Sequence, residues 1–284
     1  MGGFPRGGGW APTTTLLHMD GIEPAVTSAV TLTGVHKRFG RGKNATHALR
    51  GVNAAIAKGS FTAVMGPSGS GKSSLLQCAA GLDRPSSGSV KLGDLELSRM
   101  MERRLTTIRR ERIGFVFQAY NILTALTVEQ NVLMPLRLAG AELDRERVVE
   151  VLTLVGMERH VKARAGRLSG GEQQRVAIAR SLINNPEVVF ADEPTGALDP
   201  SAAADVLALL RSLVDERSVT VVMVTHEPGA AAWADRVVIL ASGEIAHDTT
   251  DTDPQRIRER IFEASRRTVP VPVPPSKTHQ GSRA

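Results

Sequence analysis

The chain has 284 residues, a formal net charge of +6, 42% apolar residues and 23% charged residues. This length allows one large domain or two small ones, and the composition excludes a fibrous or wholly disordered protein. The single cysteine, Cys78, excludes an internal disulfide, and no apolar run is long enough to span a bilayer. The positive net charge is compatible with an acidic partner, such as a nucleotide, a nucleic acid or an anionic lipid surface. Charge dispersed over the protein surface is the simpler explanation.

The two ends of the chain do not favour a fold. Residues 1–28 are rich in glycine, proline and threonine and show no periodicity, so they are predicted to be a disordered leader. The leader has no hydrophobic signal core. Residues 266–284 contain the run VPVPVPP and are predicted to be a proline-rich, disordered tail. Residues 29–265 remain as the folded domain.

Short apolar runs alternate with helical segments inside that domain. The runs SFTAVMG, IGFVFQ, EVVFADE, SVTVVMVTH and RVVILASGEI are typical of strands that are covered on both faces. Helices are predicted at 72–80, at 143–155, and at 200–216 after the cap pair Asp199-Pro200. This alternation predicts an α/β domain with a mainly parallel sheet. Residues 119–182 have no strong strand signal and are predicted to form a helical subdomain.

The stretch GPSGSGKS matches the pattern G-x-x-x-x-G-K-[ST] and lies between a predicted buried strand and a predicted helix. Its glycines let the backbone curl, so that successive N–H groups point at phosphate oxygens. Lys72 would place a cation between the β- and γ-phosphates, and Ser73 would offer a hydroxyl to Mg²⁺. The nucleotide-binding loop is therefore assigned to Gly66, Pro67, Ser68, Gly69, Ser70, Gly71, Lys72, Ser73 and Ser74.

An acidic pair follows the apolar run VVFA. The end of this predicted strand would place Asp192 beside the glycine-rich loop, where it can hold the water shell of a metal. Glu193 can then orient and deprotonate an attacking water. The two motifs together predict that the chain binds a nucleoside triphosphate with Mg²⁺. GTPases, kinases, helicases, motors and transporters all share this chemistry.

A second anion-binding sequence, LSGGEQQRVAIARSL, lies about a hundred residues after the first. Ser169, Gly170 and Gly171 open a predicted helix, where free N–H groups and the helix dipole favour an anion. The stretch resembles the signature of the ATP-binding cassette (ABC) family. The motifs GPSGSGKS, FVFQ, LSGGE, VVFADEPTGALD and VTH are similar to that family in order and spacing, and the resemblance covers roughly residues 29–247.

The resemblance implies a P-loop NTPase of the ABC type, with a mainly parallel sheet, an antiparallel β subdomain and a helical subdomain. It also implies a head-to-tail homodimer or heterodimer of ATP-binding subunits. In such a dimer, the signature of one subunit closes on the ATP held by the other. The signature residues that would contact the partner's ATP are Ser169, Gly170, Gly171 and Glu172.

The same resemblance assigns roles to single side chains. Phe39 would stack on adenine, and Asp199 would lie at the dimer seam. Gln118 would contact Mg²⁺ and the attacking water, and His226 would bind the γ-phosphate and position Glu193. The implied catalytic residues are Lys72, Gln118, Glu193 and His226, and the implied metal ligands are Ser73, Gln118 and Asp192.

The motif variants LSGGE and ADEPTG resemble the cassettes of macrolide export, lipoprotein release and the cell-division complex (the MacB, LolD and FtsE group). Ala197 departs from the asparagine that is usual in that group. The resemblance implies an ATPase subunit, peripheral at the cytoplasmic face of the membrane, that drives a separate permease in export, lipoprotein release or mechanotransmission. The apolar stretch 120–138 would line a groove beside Gln118 for a helix of the permease.

The alternative is a soluble ABC ATPase that acts on ribosomes or DNA. Ribosome-acting members usually carry two cassettes and DNA-repair members carry a long coiled coil, and neither feature is present in this chain. The basic run 99–112 lacks interleaved aromatic residues and includes Glu102 and Glu111, so a solvated helix explains it more simply. No nucleic-acid partner is therefore expected.

Overall fold

The computed structural model describes residues 27–40, 42 and 45–266. The predicted leader up to residue 26 and the predicted tail from residue 267 lie outside the described residues. The strands are β1 (Ser28–Phe39), β2 (Thr46–Ala57), β3 (Phe61–Met65), β4 (Ser87–Leu92), β5 (Leu95–Glu96), β6 (Ile113–Phe117), β7 (Val188–Asp192), β8 (Thr220–Val224), β9 (Arg236–Ala241) and β10 (Glu244–Thr249). The α-helices are α1 (Lys72–Ala79), α2 (Glu102–Arg112), α3 (Val128–Val132), α4 (Met134–Ala139), α5 (Arg145–Leu154), α6 (Gly170–Leu182), α7 (Pro200–Arg217), α8 (Pro228–Ala231) and α9 (Pro254–Arg266).

The main sheet has six strands in the order β10-β9-β3-β8-β7-β6. All neighbouring pairs are parallel except β9 and β10, which are antiparallel. Every residue of β3 and of β8 is buried, because helices or the second sheet cover both faces of the central strands. This double burial accounts for the unbroken apolar runs, and the predicted mainly parallel sheet is confirmed.

A second sheet of four antiparallel strands, in the order β2-β1-β4-β5, confirms the predicted antiparallel subdomain. Its apolar face shares a core with α1, α2 and one face of the main sheet. Cys78 lies in this core, 1% exposed, and burial raises the pKa of its thiol to about 11. The thiol is therefore protonated at neutral pH and serves as a small apolar group.

The chain between β6 and β7 contains α3, α4, α5, α6 and two 3₁₀ turns, Glu158–His160 and Ala165–Arg167. The only β pairing that the structure describes there is an isolated bridge between Thr127 and Arg164. Apolar residues of α3, α5 and α6 pack with α7 and the other face of the main sheet. This packing fixes α6, which carries the signature sequence, directly against β6 and α7.

Local cap signals set several helix boundaries. The start of α7 is one of these boundaries. Asp199 caps the helix by accepting hydrogen bonds from the N–H groups of Ser201 and Ala202, and Pro200 is the first helical residue. The basic run 99–112 contains α2, in which Leu105 and Ile108 are buried and Arg103 and Arg104 are exposed. Within the described residues, none of the helices combines the length and hydrophobicity needed to cross a bilayer.

Candidate nucleotide-binding site

The predicted motifs follow four adjacent strands of the main sheet. In the order β3-β8-β7-β6 all strands are parallel, so their carboxyl ends lie along one edge. The glycine-rich loop follows β3 and His226 follows β8. Asp192 ends β7 and Glu193 follows it, and Gln118 follows β6. The fold therefore brings these sequence-distant side chains to one site.

The glycine-rich loop needs glycine at two positions because of close backbone contacts. Gly66 has φ 144° and Gly71 has φ 106°. A Cβ on Gly66 would lie 2.1 Å from the carbonyl oxygen of Leu240, and one on Gly71 would lie 2.3 Å from that of Ala48. The loop can therefore adopt this curl only without side chains at these two positions.

Lys72 lies inside the curl of this loop. Its Nζ donates hydrogen bonds of 2.9 Å to the carbonyl oxygens of Gly66 and Pro67. Burial lowers the pKa of Lys72, and the carboxylates of Glu193 and Asp192 oppose that shift. Both carbonyl contacts are to weak, neutral acceptors, so an arriving phosphate would offer the ammonium group a stronger, charged partner.

Asp192 and Glu193 occupy the end of β7 in distinct environments. Burial raises the pKa of Asp192, the neighbouring Glu193 raises it further, and Lys72 lowers it. Glu193 has φ 48°, a left-handed conformation that is rare for a residue with a Cβ, and its N–H donates to the carbonyl oxygen of Val224. Such local strain is often found at functional sites, where the surrounding structure holds it in place.

His226 and Gln118 lie beside Glu193. The Nδ1 atom of His226 is 3.2 Å from Oε1 of Glu193, and the imidazole is more than half exposed. A Cβ on Gly196 would lie 2.8 Å from Nε2 of Gln118 and 3.3 Å from Oε2 of Glu193, so both side chains approach the same glycine. The structure thus groups the side chains of Glu193, His226 and Gln118 at one place.

The signature loop has different neighbours. Cβ atoms on Gly170 and Gly171 would meet Tyr120, Leu198 and Ala202, none of which belongs to the glycine-rich loop. Ser169 caps α6, and its N–H and hydroxyl each lie 2.8 Å from Oε2 of Glu172 in a capping box. These hydrogen bonds lower the pKa of Glu172. The carboxylate therefore orders the start of the signature helix.

Two other predicted site residues lie at the surface. Phe39 ends β1 and is 45% exposed, with Nζ of Lys37 4.9 Å from its ring centroid, so it is not a core residue. An exposed aromatic ring is available for stacking on a base. Asp199 is exposed at the start of α7.

Gln174 was not identified from the sequence. It is 0% exposed, and its Nε2 donates hydrogen bonds to the carbonyl oxygens of Pro194 at 2.6 Å and Phe117 at 3.4 Å. Gln174 therefore connects α6 by hydrogen bonds to the residue before Gln118 and to the residue after Glu193. The signal was its spacing from Ile178 and Leu182, which places a polar residue on the buried face of α6.

The curled glycine loop, its lysine and the acidic pair at the neighbouring strand ends define a P-loop nucleoside triphosphatase. Comparison with known proteins gives the family. Residues 49–196 match the family model described as ABC transporter. The chain therefore belongs to the ABC transporter family, and the resemblance read from its motifs is confirmed.

Three relatives illustrate the similarity. The macrolide export ATP-binding/permease protein MacB of Neisseria gonorrhoeae is 42% identical over 78% of this chain, which spans only 35% of that protein. The bacitracin export ATP-binding protein BceA of Halalkalibacterium halodurans is 39% identical over 75% of this chain and 85% of its own length. The dimeric post-hydrolysis structure of the cassette MJ0796 of Methanocaldococcus jannaschii, bound to ADP and Pi, is 39% identical with a TM-score of 0.70, and the match covers 78% of this chain and 97% of that one.

Proposed function

We propose that this chain drives a separate membrane permease by ATP-dependent dimerisation, with each ATP bound between two chains. The observation that carries the proposal is that the two glycine loops pack against different parts of the chain. The loop that begins at Gly66 packs against Leu240 and Ala48, whereas the loop at Gly170 packs against Tyr120 and Leu198. A second chain, docked head to tail, would bring its signature loop to the first chain's phosphates. The dimeric structure of a relative supports this arrangement.

The residues along the strand edge fit a nucleotide with Mg²⁺. Ser73 offers a hydroxyl, Gln118 an amide oxygen and Asp192 a carboxylate, and hard oxygen donors of this kind suit Mg²⁺. Mg²⁺ usually retains water and binds one or two carboxylates together with substrate phosphates. Bound Mg²⁺ would neutralise charge on the transferring phosphate. Phe39 is proposed to stack on adenine, and the loop from Gly66 through Ser74 to bind the phosphates.

Glu193 is proposed to accept a proton from the attacking water. His226, whose Nδ1 lies 3.2 Å from the Glu193 carboxylate, would hold that carboxylate in place and donate to the γ-phosphate. Gln118 approaches the same point from β6 and would orient the water. Lys72 would stabilise the charge that develops on the phosphate oxygens. Ser169 and the N–H groups of Gly170 and Gly171 would complete the site from the partner, with Asp199 at the seam.

An apolar groove supports the permease as the partner. A groove of about 600 Å³ is lined by five apolar residues, Leu82, Phe115, Met134, Pro135 and Leu138, and at its polar edge by Thr106, Arg109, Arg110 and Arg180. Leu138 is 71% exposed and Leu82 is 42% exposed, so the groove carries uncovered apolar surface. We propose that an amphipathic helix of the permease binds here, at the cytoplasmic face of the membrane, and that the transported molecule is exported, as the names of MacB and BceA state for those proteins.

Ser169→Arg tests the shared site. The substitution removes an exposed helix cap and places a bulky side chain where the partner's phosphate would lie. We expect one chain to bind ATP within twofold of the unmodified affinity, while ATP-dependent dimerisation, measured by light scattering with Mg²⁺, is lost. Thr153→Arg, on the exposed side of α5, is the matched control and should dimerise normally. Normal dimers of Ser169→Arg would contradict the shared site.

Leu138→Glu tests the groove. A charge at this exposed apolar position should remove most recovery of the chain with cell membranes, because an apolar helix cannot cover the carboxylate without a desolvation penalty. ATP-dependent dimerisation in solution should be unchanged. Leu143→Glu, at an exposed leucine outside the groove lining, should still be recovered with membranes. Unaltered membrane recovery of Leu138→Glu, or recovery of the unmodified chain with ribosomes or DNA instead, would contradict the proposed partner.

A further inference from the structure

The segment directly after Gln118 has an unusual backbone conformation. Tyr120 has φ 56° and Asn121 has φ 53°, so two consecutive residues with side chains adopt the left-handed region. Arg180 of α6 donates to both of their carbonyl oxygens, at 3.0 Å to Tyr120 and 2.6 Å to Asn121. Burial lowers the pKa of Arg180, which indicates that its guanidinium group is partly removed from water. The signature helix therefore holds this segment in place.

The side chain of Tyr120 joins two further parts of the site. Its hydroxyl donates to the carbonyl oxygen of Ala197 at 3.2 Å. A Cβ on Gly170 would lie only 2.9 Å from the same hydroxyl oxygen. Ala197 belongs to the turn after Glu193, in which the N–H of Gly196 donates to the carbonyl oxygen of Glu193 at 3.0 Å. The phenol thus lies between the signature loop and the turn that follows the proposed base.

Gln174 provides a second link among the same parts. Its buried amide binds the carbonyl oxygen of Pro194, directly after Glu193, and that of Phe117, directly before Gln118. Gln174 and Arg180 of α6, the segment around Gln118 and the turn after Glu193 therefore form one hydrogen-bonded unit, and the start of α6 at Gly170 packs against it through Tyr120. A backbone shift at Gln118 or Glu193 would therefore act on the hydrogen bonds that Gln174 makes to the adjacent carbonyl groups.

We propose that Tyr120 is a positioning residue that couples the two half-sites of each chain. The inference rests on the proposed function, in which Gln118 and Glu193 act on the chain's own ATP and Ser169 contacts the partner's ATP. The hydroxyl of Tyr120 transmits the position of Gln118 and of the turn after Glu193 to Gly170. ATP in one site thereby sets the geometry that the same chain offers to the other site.

Tyr120→Phe removes the hydroxyl and keeps the ring. We expect unchanged ATP affinity of the single chain. In a Glu193→Gln background, the ATP concentration for half-maximal dimerisation should rise about fivefold, the effect of losing one net hydrogen bond. Thr153→Val is the matched control, because it removes an exposed hydroxyl that donates to the carbonyl oxygen of Val149 on α5. The control should leave dimerisation unchanged, and both variants should keep the unmodified melting temperature within a few degrees.

The chain contains one tyrosine, so the same residue gives a direct signal. Protein labelled with ¹³C at tyrosine Cζ should show one resonance, which shifts when the Glu193→Gln protein dimerises with ATP. An unmoved resonance during dimerisation, or dimerisation of Tyr120→Phe at the unmodified ATP concentration, would overturn the coupling role while leaving the shared site intact. Failure of the Glu193→Gln parent to dimerise would instead overturn the proposed function, and the coupling role with it.

Discussion

Glu193→Gln is expected to lower the rate of ATP hydrolysis by about 10²- to 10⁴-fold, the usual contribution of a general base. Glutamine has nearly the same shape as glutamate, so the contact with His226 and the hydrogen bond from the backbone N–H to Val224 can persist. What is lost is the ability to accept a proton from water. ATP binding should be retained, and the unhydrolysed ATP should hold two chains together.

The same variant should therefore accumulate as a dimer of twice the 30.3 kDa chain mass when ATP and Mg²⁺ are added. Light scattering and a phosphate-release assay measure the two effects on one sample. Glu216→Gln, at an exposed glutamate of α7, removes the same charge far from the site and should hydrolyse ATP at the unmodified rate. Glu193→Gln protein that hydrolyses ATP at more than a tenth of the unmodified rate would exclude Glu193 as the base.

Lys72→Ala is expected to reduce kcat/KM for ATP by about 10²-fold or more, because a cation next to the transferring phosphate is lost. The fold should tolerate the change. Lys72 is partly buried, burial lowers its pKa, and its ammonium group donates hydrogen bonds to two carbonyl oxygens of its own loop. Truncation therefore removes a desolvated charge rather than a core contact.

Lys58→Ala is the matched control for this second variant, since Lys58 is exposed just before β3. Thermal unfolding should show both variants melting close to the unmodified chain, while nucleotide titration and phosphate release separate them. An unchanged kcat/KM in Lys72→Ala would contradict the role of the lysine. A melting temperature lowered by more than about 10 °C would show that Lys72 acts through stability.

The central strands were predictable because they are buried on both faces. The runs around β3, β7 and β8 are almost wholly apolar, short and rich in valine, which favours strands buried on both faces. β1 and β2 were not among the predicted apolar runs. Each has 12 residues, one face partly exposed and several register shifts, so neither shows a clean alternation of apolar and polar residues.

The motifs of the candidate site could be located in the sequence, but the geometry that brings them together could not. Each motif is local, whereas the strand order β3-β8-β7-β6 that places His226 between the glycine loop and Glu193 depends on pairing between distant segments. The contacts of Tyr120 could not be predicted from the sequence either. Its left-handed backbone depends on Arg180, which lies 60 positions further along the chain, and nothing in the local composition indicates it.

The central claim is that one chain supplies only half of each ATP site. The most direct measurement is the rate of hydrolysis per chain at saturating ATP over a dilution series, with the mass of the same samples determined in parallel. The account predicts that the rate per chain falls toward zero as the mass falls to that of the 30.3 kDa monomer. A rate per chain that stays constant in solutions containing only monomers would contradict it.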